Sequence, residues 1–265
     1  KLRLERGRND TRRQLLSQLD RINRKVDTGG QLDGLDKLQR QAYELILGGG
    51  VSRALDLSRE DSRTRKRYDT SVYAKKGRWN SVSRGRKGYY CAQASTIGPL
   101  LLLARRLCEA GCGFVTVHAG YEGVWDMHSD GNNLDMVKGM EAVGRSFDHA
   151  VAAFVEDIEE RGLQEKIMLV ATGEMGRTPA VNKTGGRGHW ARLAPLLLYG
   201  GGLEGGRVIG RSDRQGGEPV RDGCGPSHLI STILRTVFNP GKLRLNPDAP
   251  REVLALSQKP PIPGL

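Results

Sequence analysis

The chain has 265 residues, enough for one large domain or two small ones, and this length excludes peptide-scale and disulfide-knot proteins. Its residues are 37% hydrophobic and 27% charged, which predicts a folded protein with a polar surface, and its 36 glycines lack the fixed period of collagen. The 42 Lys and Arg against 30 Asp and Glu give a net charge of +12, which favours anionic partners without choosing among nucleic acids, anionic surfaces and small anions.

Two amphipathic helices are predicted at the start of the chain. Residues 11–27 place leucine, isoleucine and valine mostly three or four positions apart, with arginines off that stripe. A second apolar stripe runs over 35–47 and stops at the glycine triplet 48–50. We therefore expect residues 1–50 to form a helical lead-in.

A basic segment follows, in which Lys and Arg outnumber Asp and Glu between Arg53 and Lys87. Because residues 58–90 lack sustained periodicity, we predict a long basic loop or insertion there, prone to disorder. The aromatic residues among these charges are of the kind that stack on nucleic-acid bases: Tyr68, Tyr73, Trp79, Tyr89 and Tyr90. No RNA-recognition, zinc-finger or helix-turn-helix pattern accompanies them, so nucleic-acid binding is not favoured.

From residue 91 onward, helices are predicted to alternate with short apolar strands. The helices fall at 97–110, 134–161 and 226–238, and the strands at 114–117, 167–172 and 196–199. Apolar runs without polar alternation are typical of parallel strands buried on both faces. We therefore expect a single domain over 1–265, an α/β/α sandwich with a mostly parallel sheet and an α/β core at 91–265.

Candidate ligand side chains follow the first predicted strand, and ligands bind open α/β sheets beyond the carboxyl ends of the strands. Asp126 and His128 are two positions apart, so in an extended chain both side chains lie on one side and approach a single divalent cation. The alternative is a loop with a hydrogen-bonded histidine and a helix-capping aspartate. His118, directly after the strand, either orients a metal ligand or is a core histidine.

Two later segments add further candidates. Glu174 follows the strand at 167–172 and is a candidate metal ligand, while the Arg177 guanidinium suits a phosphate, sulfate or carboxylate. An ion pair between Glu174 and Arg177 that holds a turn is the alternative. His189 lies on a glycine-rich loop, with Trp190 expected to form a wall of the cleft. Ligand-type side chains at three strand ends form the pattern that a metal-dependent hydrolase requires.

These motifs resemble the signature of the domain-of-unknown-function 1501 family. The resemblance rests on Gly173–Pro179, Gly186–Trp190 and Trp125–His128, and it extends over essentially the whole chain. The family consists mostly of exported bacterial proteins and is placed in the alkaline phosphatase and sulfatase superfamily. The resemblance therefore implies an alkaline-phosphatase-like sandwich, export to the periplasm or cell surface, and a divalent metal (zinc, manganese, calcium or iron) for chemistry on phosphate, sulfate or glycan esters.

The resemblance also assigns roles to single residues. It implies four metal ligands: Asp126, His128, Glu174 and His189. In the leading hypothesis, Arg177 and Arg187 are contacts for the anionic substrate. Two positions depart from the pattern, because Met175 stands where the phosphatases have a second histidine and Gly188 stands where the family usually has aspartate.

The expected function follows from a further departure. The chain shows no counterpart of the opening strand and Gly-Gly-Pro-Ser-type turn, where the superfamily has its first metal ligand and nucleophile. Covalent phosphoryl or sulfuryl transfer then has no acceptor, so we predict a partial or degenerate hydrolase with weak or no ester hydrolysis. Two alternatives are a non-catalytic domain that binds anionic polymer or surface through Arg53–Lys87, and a structural fragment without metal. No apolar stretch reaches the about 18 residues of a membrane span.

Overall fold

The computed structural model describes residues 50–74, 79, 82–221 and 223–265. The chain divides into two units, residues 1–50 and 51–265, and the described residues lie almost entirely in the second. The predicted helical lead-in over 1–50 therefore falls outside the described residues, apart from Gly50.

Helices dominate the described residues up to about 160. The helices are α1 (Gly50–Leu55), α2 (Ser62–Arg67), α3 (Arg84–Glu109), α4 (Met136–Gly139), α5 (Arg145–Glu160), α6 (Pro226–Val237), α7 (Pro240–Arg244) and α8 (Arg251–Ser257). Short 3-10 turns lie at Leu57–Arg59 and Ser71–Tyr73, and a π-helical turn, Met140–Gly144, joins α4 to α5. None of the helices in the described ranges combines the length and apolar character that crossing a membrane would require.

The strands form three separate antiparallel pairs. They are β1 (Met168–Thr172) with β4 (Leu196–Gly200), β2 (Gly176–Arg177) with β3 (His189–Trp190), and β5 (Arg211–Ser212) with β6 (Pro219–Arg221). The predicted alkaline-phosphatase-like α/β/α sandwich with a mostly parallel sheet is therefore wrong for the described residues. A parallel pair needs a crossover, usually a helix, whereas residues 173–195 hold turns and the short β2–β3 pair, so β4 returns antiparallel to β1.

Two other sequence predictions are also wrong. The strand expected at 114–117 belongs to none of the three sheets, and Phe114 is 81% exposed. The long loop expected over 58–90 instead contains α2 and the start of α3. With six residues, α2 is too short and too polar to show periodicity. It is stabilised locally, because the Asp61 carboxylate accepts a hydrogen bond from the Thr64 amide at 2.8 Å. Hydrogen bonds from Thr64 lower the pKa of Asp61 to about 2.

The interior consists of two apolar clusters along α3. The first lies between α3 and α5 and contains Tyr68, Ile97, Leu101, Leu102, Ala150, Ala153, Phe154, Ile158 and Ile167. The second surrounds the N-terminal half of α3 and contains Trp79, Val82, Tyr90, Ala94, Val124, Met127, Leu134, Ala142 and Val143. Tyr68, Trp79 and Tyr90 are thus core residues, so three of the aromatic side chains of the basic segment are withdrawn from any base-stacking surface.

A buried network of charges connects α3 to α5. The Arg105 side chain, which is 2% exposed, donates to Asp157 Oδ2 at 2.9 Å and to Glu60 Oε2 at 2.8 Å. Asp157 also accepts from the Tyr68 hydroxyl at 3.0 Å and from Arg161 Nε at 2.7 Å. Burial alone would raise the pKa of Glu60, but hydrogen bonds from Arg106 and Arg105 lower it below its ordinary value. The Glu60 carboxylate therefore stays charged opposite the guanidinium groups.

Removing one member of this network leaves an uncompensated buried charge. We expect Asp157→Ala to lower the free energy of unfolding by about 3–5 kcal/mol, because Arg105 then loses a buried partner. Glu218→Ala is the control, since Glu218 pairs with Arg192 on the surface and its loss should cost less than about 1 kcal/mol. Urea unfolding measures both values, and equal losses in the two variants would contradict the central role of the network.

Gly98 sets how closely α3 approaches the segment after α2. A Cβ atom at this position would lie 2.0 Å from the Tyr68 carbonyl oxygen and 2.9 Å from Thr70 Cγ2. The Gly98 amide also lies within hydrogen-bond distance of Thr70 Oγ1, at 3.2 Å. Because the nearest atom is backbone, a side chain here forces the two segments apart.

A matched pair of glycine substitutions in α3 tests this close approach. We expect Gly98→Ala to destabilise the protein by about 1–3 kcal/mol through overpacking. Gly88→Ala, in the same helix but with no atom within 4 Å of the new Cβ, should stabilise it by about 0.5–1 kcal/mol. Thermal and urea unfolding measure both, and a neutral Gly98→Ala would show that the segments are not in contact.

Candidate functional site

Asp126, His128 and His189 converge in space, although Asp126 and His189 are 63 positions apart in the sequence. Asp126 Oδ1 lies 3.2 Å from His189 Nε2 and 3.9 Å from His128 Nε2. One ligand atom from each of the three residues lies within 4.8 Å of the other two. The two histidine rings are 4.9 Å apart between centroids. We call these three residues the triad.

The second apolar cluster holds the segment that carries the first two triad residues. Val124 and Met127 are buried in this cluster on either side of Asp126, and the Asp126 amide donates to the Gly123 carbonyl at 3.2 Å. Because Met127 faces the core, its neighbours Asp126 and His128 are directed away from it and toward each other. The spacing of two residues thus has the consequence expected from the sequence.

The β2–β3 pair delivers the third triad residue together with Arg177. Arg177 and His189 are direct partners in the antiparallel register, so both side chains reach Asp126 from neighbouring strands. Arg177 Nη2 lies 2.8 Å from Asp126 Oδ1. The sequence predicted Arg177 as an anion contact, and the anion that it contacts here is a carboxylate of the protein.

A glycine allows the loop before β3 to pack on the segment of His128. A Cβ at Gly186 would lie 2.0 Å from the His128 carbonyl oxygen and 2.9 Å from the Ser129 nitrogen. Hydrogen bonds join the two segments on both sides of this contact: the Arg187 amide donates to the Met127 carbonyl at 2.9 Å, and Asn182 Nδ2 donates to the His128 carbonyl at 3.1 Å. The backbones therefore touch where the triad forms.

The Arg187 carbonyl determines the tautomer of His128. His128 Nδ1 lies 2.7 Å from this oxygen, and because a carbonyl only accepts hydrogen bonds, Nδ1 must carry a proton. In the neutral ring, Nε2 then presents its lone pair toward Asp126 and His189. A backbone carbonyl that orients a histidine in this way is a common feature of metal-binding imidazoles.

The electrostatics of the site keep Asp126 ionised. Burial alone would raise the pKa of Asp126, but hydrogen bonds from Arg177 and His189 lower it below its ordinary value. Two guanidinium nitrogens of β2 and of the loop before β3, Arg177 Nη1 and Arg187 Nε, are buried and make no hydrogen bond within the described ranges. The site therefore combines one carboxylate, two imidazoles and the Arg177 guanidinium.

The remaining sequence-predicted residues lie outside the triad. Glu174 is exposed in the turn between β1 and β2, and His118 is exposed as well; neither belongs to the group of potential metal ligands. Trp190 anchors β3, because its Nε1 donates to the Gly217 carbonyl at 2.8 Å. Arg187 Nη2 donates to the Pro179 carbonyl at 2.9 Å.

Sequence reasoning assigned no role to Asn182, which shapes the loop before Gly186. Its Oδ1 accepts hydrogen bonds from the Thr184 amide at 3.0 Å and from the Gly186 amide at 2.8 Å. The available signal was an asparagine shortly before a glycine pair, which is typical of a turn held by an asparagine side chain.

Substituting the glycines of this loop tests its contact with His128. We expect Gly186→Ala to break the hydrogen bond from the Arg187 amide to Met127, because the new Cβ would overlap backbone. Gly188→Ala is the control, since its Cβ meets only the Thr178 side chain at 3.3 Å. Hydrogen exchange of the Arg187 amide should accelerate about tenfold or more in the first variant only. Unchanged protection in Gly186→Ala would contradict the packing described.

Comparison with curated proteins and with solved structures finds no match to this chain. A family model described as a protein of unknown function, DUF1501, matches residues 1–242. The matched range includes all three triad residues and Arg177. The chain therefore belongs to the DUF1501 family of proteins of unknown function.

Proposed function

We propose that this chain binds a divalent transition-metal ion at the triad and uses the bound ion, with Arg177, to hold an anionic ester. The observation that supports the proposal best is the fixed His128 ring, whose Nε2 atom lies 3.9 Å from Asp126 Oδ1 and whose ring lies beside the His189 imidazole. Proteins pair histidine with a backbone carbonyl in this way when the other ring nitrogen binds a metal.

The donor set fits such an ion. In a tetrahedral site with metal–ligand bonds of 2.0–2.1 Å, neighbouring ligand atoms are about 3.3 Å apart. The distance from Asp126 Oδ1 to His189 Nε2, 3.2 Å, is close to this value, and the distance from Asp126 Oδ1 to His128 Nε2, 3.9 Å, is longer. Two nitrogens and one oxygen favour zinc or iron over calcium, which prefers oxygen ligands. Three protein ligands leave a position open, as in catalytic rather than structural sites.

Arg177 supports the choice of an anionic ligand. A carboxylate has two oxygens with about four acceptor sites, so Asp126 can accept from Arg177 and still bind a cation, which would replace the hydrogen bond between His189 Nε2 and Asp126. The Nη1 atom of Arg177 is buried and has no protein partner in the described residues, so a phosphate or sulfate oxygen that entered the site would satisfy it. A divalent metal at the triad would polarise an ester oxygen and offset charge on the transferring group. The resemblance to phosphatases and sulfatases is the reason for proposing a phosphate or sulfate ester as the ligand. Export of the protein remains a prediction from the same resemblance.

We further propose that ester turnover is weak. The hydroxyl groups of Ser129, Thr178 and Thr184 lie in the segments that form the site, and each donates to a backbone carbonyl. A nucleophilic hydroxyl needs instead a base that accepts its proton. In the described residues these hydroxyls hold loops, which favours binding of an ester over covalent transfer.

Metal binding by histidine variants tests the proposal. We expect the purified protein to bind close to one equivalent of zinc or iron, measured by mass spectrometry and titration calorimetry. The double variant His128→Ala, His189→Ala should bind at least about tenfold more weakly, because it loses two of three ligands. His118→Gln, an exposed histidine outside the triad, should bind like the wild type.

Two outcomes would contradict the proposal. Equal metal content in all three proteins would mean that the triad is not the binding site. Rapid hydrolysis of p-nitrophenyl phosphate or sulfate that disappears in His189→Ala would support the site but overturn the expectation of weak turnover.

A further inference from the structure

In the described part of the chain, residues 113–119 form a stretch of backbone that makes no hydrogen bonds. The stretch reads Gly-Phe-Val-Thr-Val-His-Ala and connects the end of α3 to the loop before Asp126. The last amide before it, that of Cys112, donates to Leu107, and the next backbone hydrogen bond is from Val124 to Tyr121. Across the described part of the chain, no backbone or side-chain hydrogen bond involves residues 113–119.

The side chains of this stretch alternate between core and solvent. Val115, Val117 and Ala119 are half-buried, and the last two pack on the first apolar cluster. Phe114, Thr116 and His118 are exposed. A period of two is that of a β-strand, and valine, threonine and phenylalanine are residues that strands favour. The stretch therefore has the side-chain alternation of a β-strand and packs on the core through one face, but no other strand pairs with its backbone in the described residues.

An unpaired strand of this kind is a template for another strand. The sequence of this stretch is suited to pairing with a second copy of itself, because it is symmetric about Thr116. Thr116 has a valine on each side and then an aromatic ring on each side, Phe114 and His118. Antiparallel pairing centred on Thr116 places Phe114 opposite His118, Val115 opposite Val117, and Thr116 opposite Thr116. Aromatic, β-branched and Thr–Thr pairs are the favourable pairs across antiparallel strands.

Charge is compatible with self-association at this place. The chain carries a net charge of +12, which opposes close contact between copies. Residues 113–119 contain no Lys, Arg, Asp or Glu, so the two strands meet without opposed fixed charges. Antiparallel pairing about Thr116 is also a closed twofold contact, which ends at a dimer and does not grow into fibres.

We propose that residues 113–119 form the interface through which two copies of this chain pair as antiparallel strands about a twofold axis at Thr116. The proposal uses no triad residue and does not depend on metal binding. An extended strand of another polypeptide is the competing occupant, and it would leave the isolated protein monomeric.

Substitutions at Thr116 test the twofold axis, because only a residue on the axis faces itself. We expect analytical ultracentrifugation of the wild type to show a monomer–dimer equilibrium. Thr116→Lys places two ammonium groups directly opposite each other and should weaken dimerisation by about tenfold or more, with partial recovery at high salt. Thr116→Val keeps the backbone and the β-branched side chain and should dimerise like the wild type. The Thr116 side chain is exposed and makes no hydrogen bond in the structure, so we expect both variants to fold normally, and far-UV circular dichroism checks this.

Disulfide trapping identifies the face independently. In a Cys224→Ser background, Thr116→Cys should form a disulfide-linked dimer under mild oxidation, since the two side chains are direct partners across the strands. Val208→Cys is the control, because Val208 is highly exposed and has no predicted partner. A monomeric wild type, equal dimerisation of Thr116→Lys and Thr116→Val, or equal trapping at the two cysteines would each overturn the proposal.

Discussion

The guanidinium of Arg105 organises the helical part of this protein. It is almost fully buried and donates to Asp157 on α5, to Glu60 before α2, and to Glu109 on its own helix. A buried cation is tolerated only when its partners are in place, and hydrogen bonds are directional, whereas apolar surfaces can slide over each other. The network therefore determines how α3 and α5 are aligned. The other half of α3 can then present Tyr90 and Ala94 to the second cluster, which contains Val124 and Met127.

The candidate metal site depends on that second cluster. Met127 is anchored there, and its neighbours Asp126 and His128 are held in the orientation that the triad requires. The opposite side of the site comes from β2 and β3, whose register places Arg177 beside His189. Arg177, His189 and His128 all approach Asp126 Oδ1. The ionised carboxylate is thus the centre of a cluster of one guanidinium and two imidazoles.

Local patterns predicted the positions of the main helices and of two strands. The apolar stripes at 97–110 and 134–161 correspond to α3, α4 and α5, and the runs at 167–172 and 196–199 correspond to β1 and β4. The direction of strand pairing was predicted wrongly, because an apolar run has the same composition in a parallel and an antiparallel strand. Direction depends on the chain between the strands, and there the connection contains turns and the β2–β3 pair instead of a crossover helix.

By itself, the sequence determined which residue types were available as ligands and which of them were neighbours along the chain. Asp126 and His128 are related by a local spacing of two, which the sequence shows directly. Only the tertiary structure decided that His189 joins them while Glu174 stays apart. That choice depends on the missing side chain of Gly186 and on the backbone carbonyl of Arg187. Both are close contacts between segments distant in sequence, and such contacts form only when the chain folds.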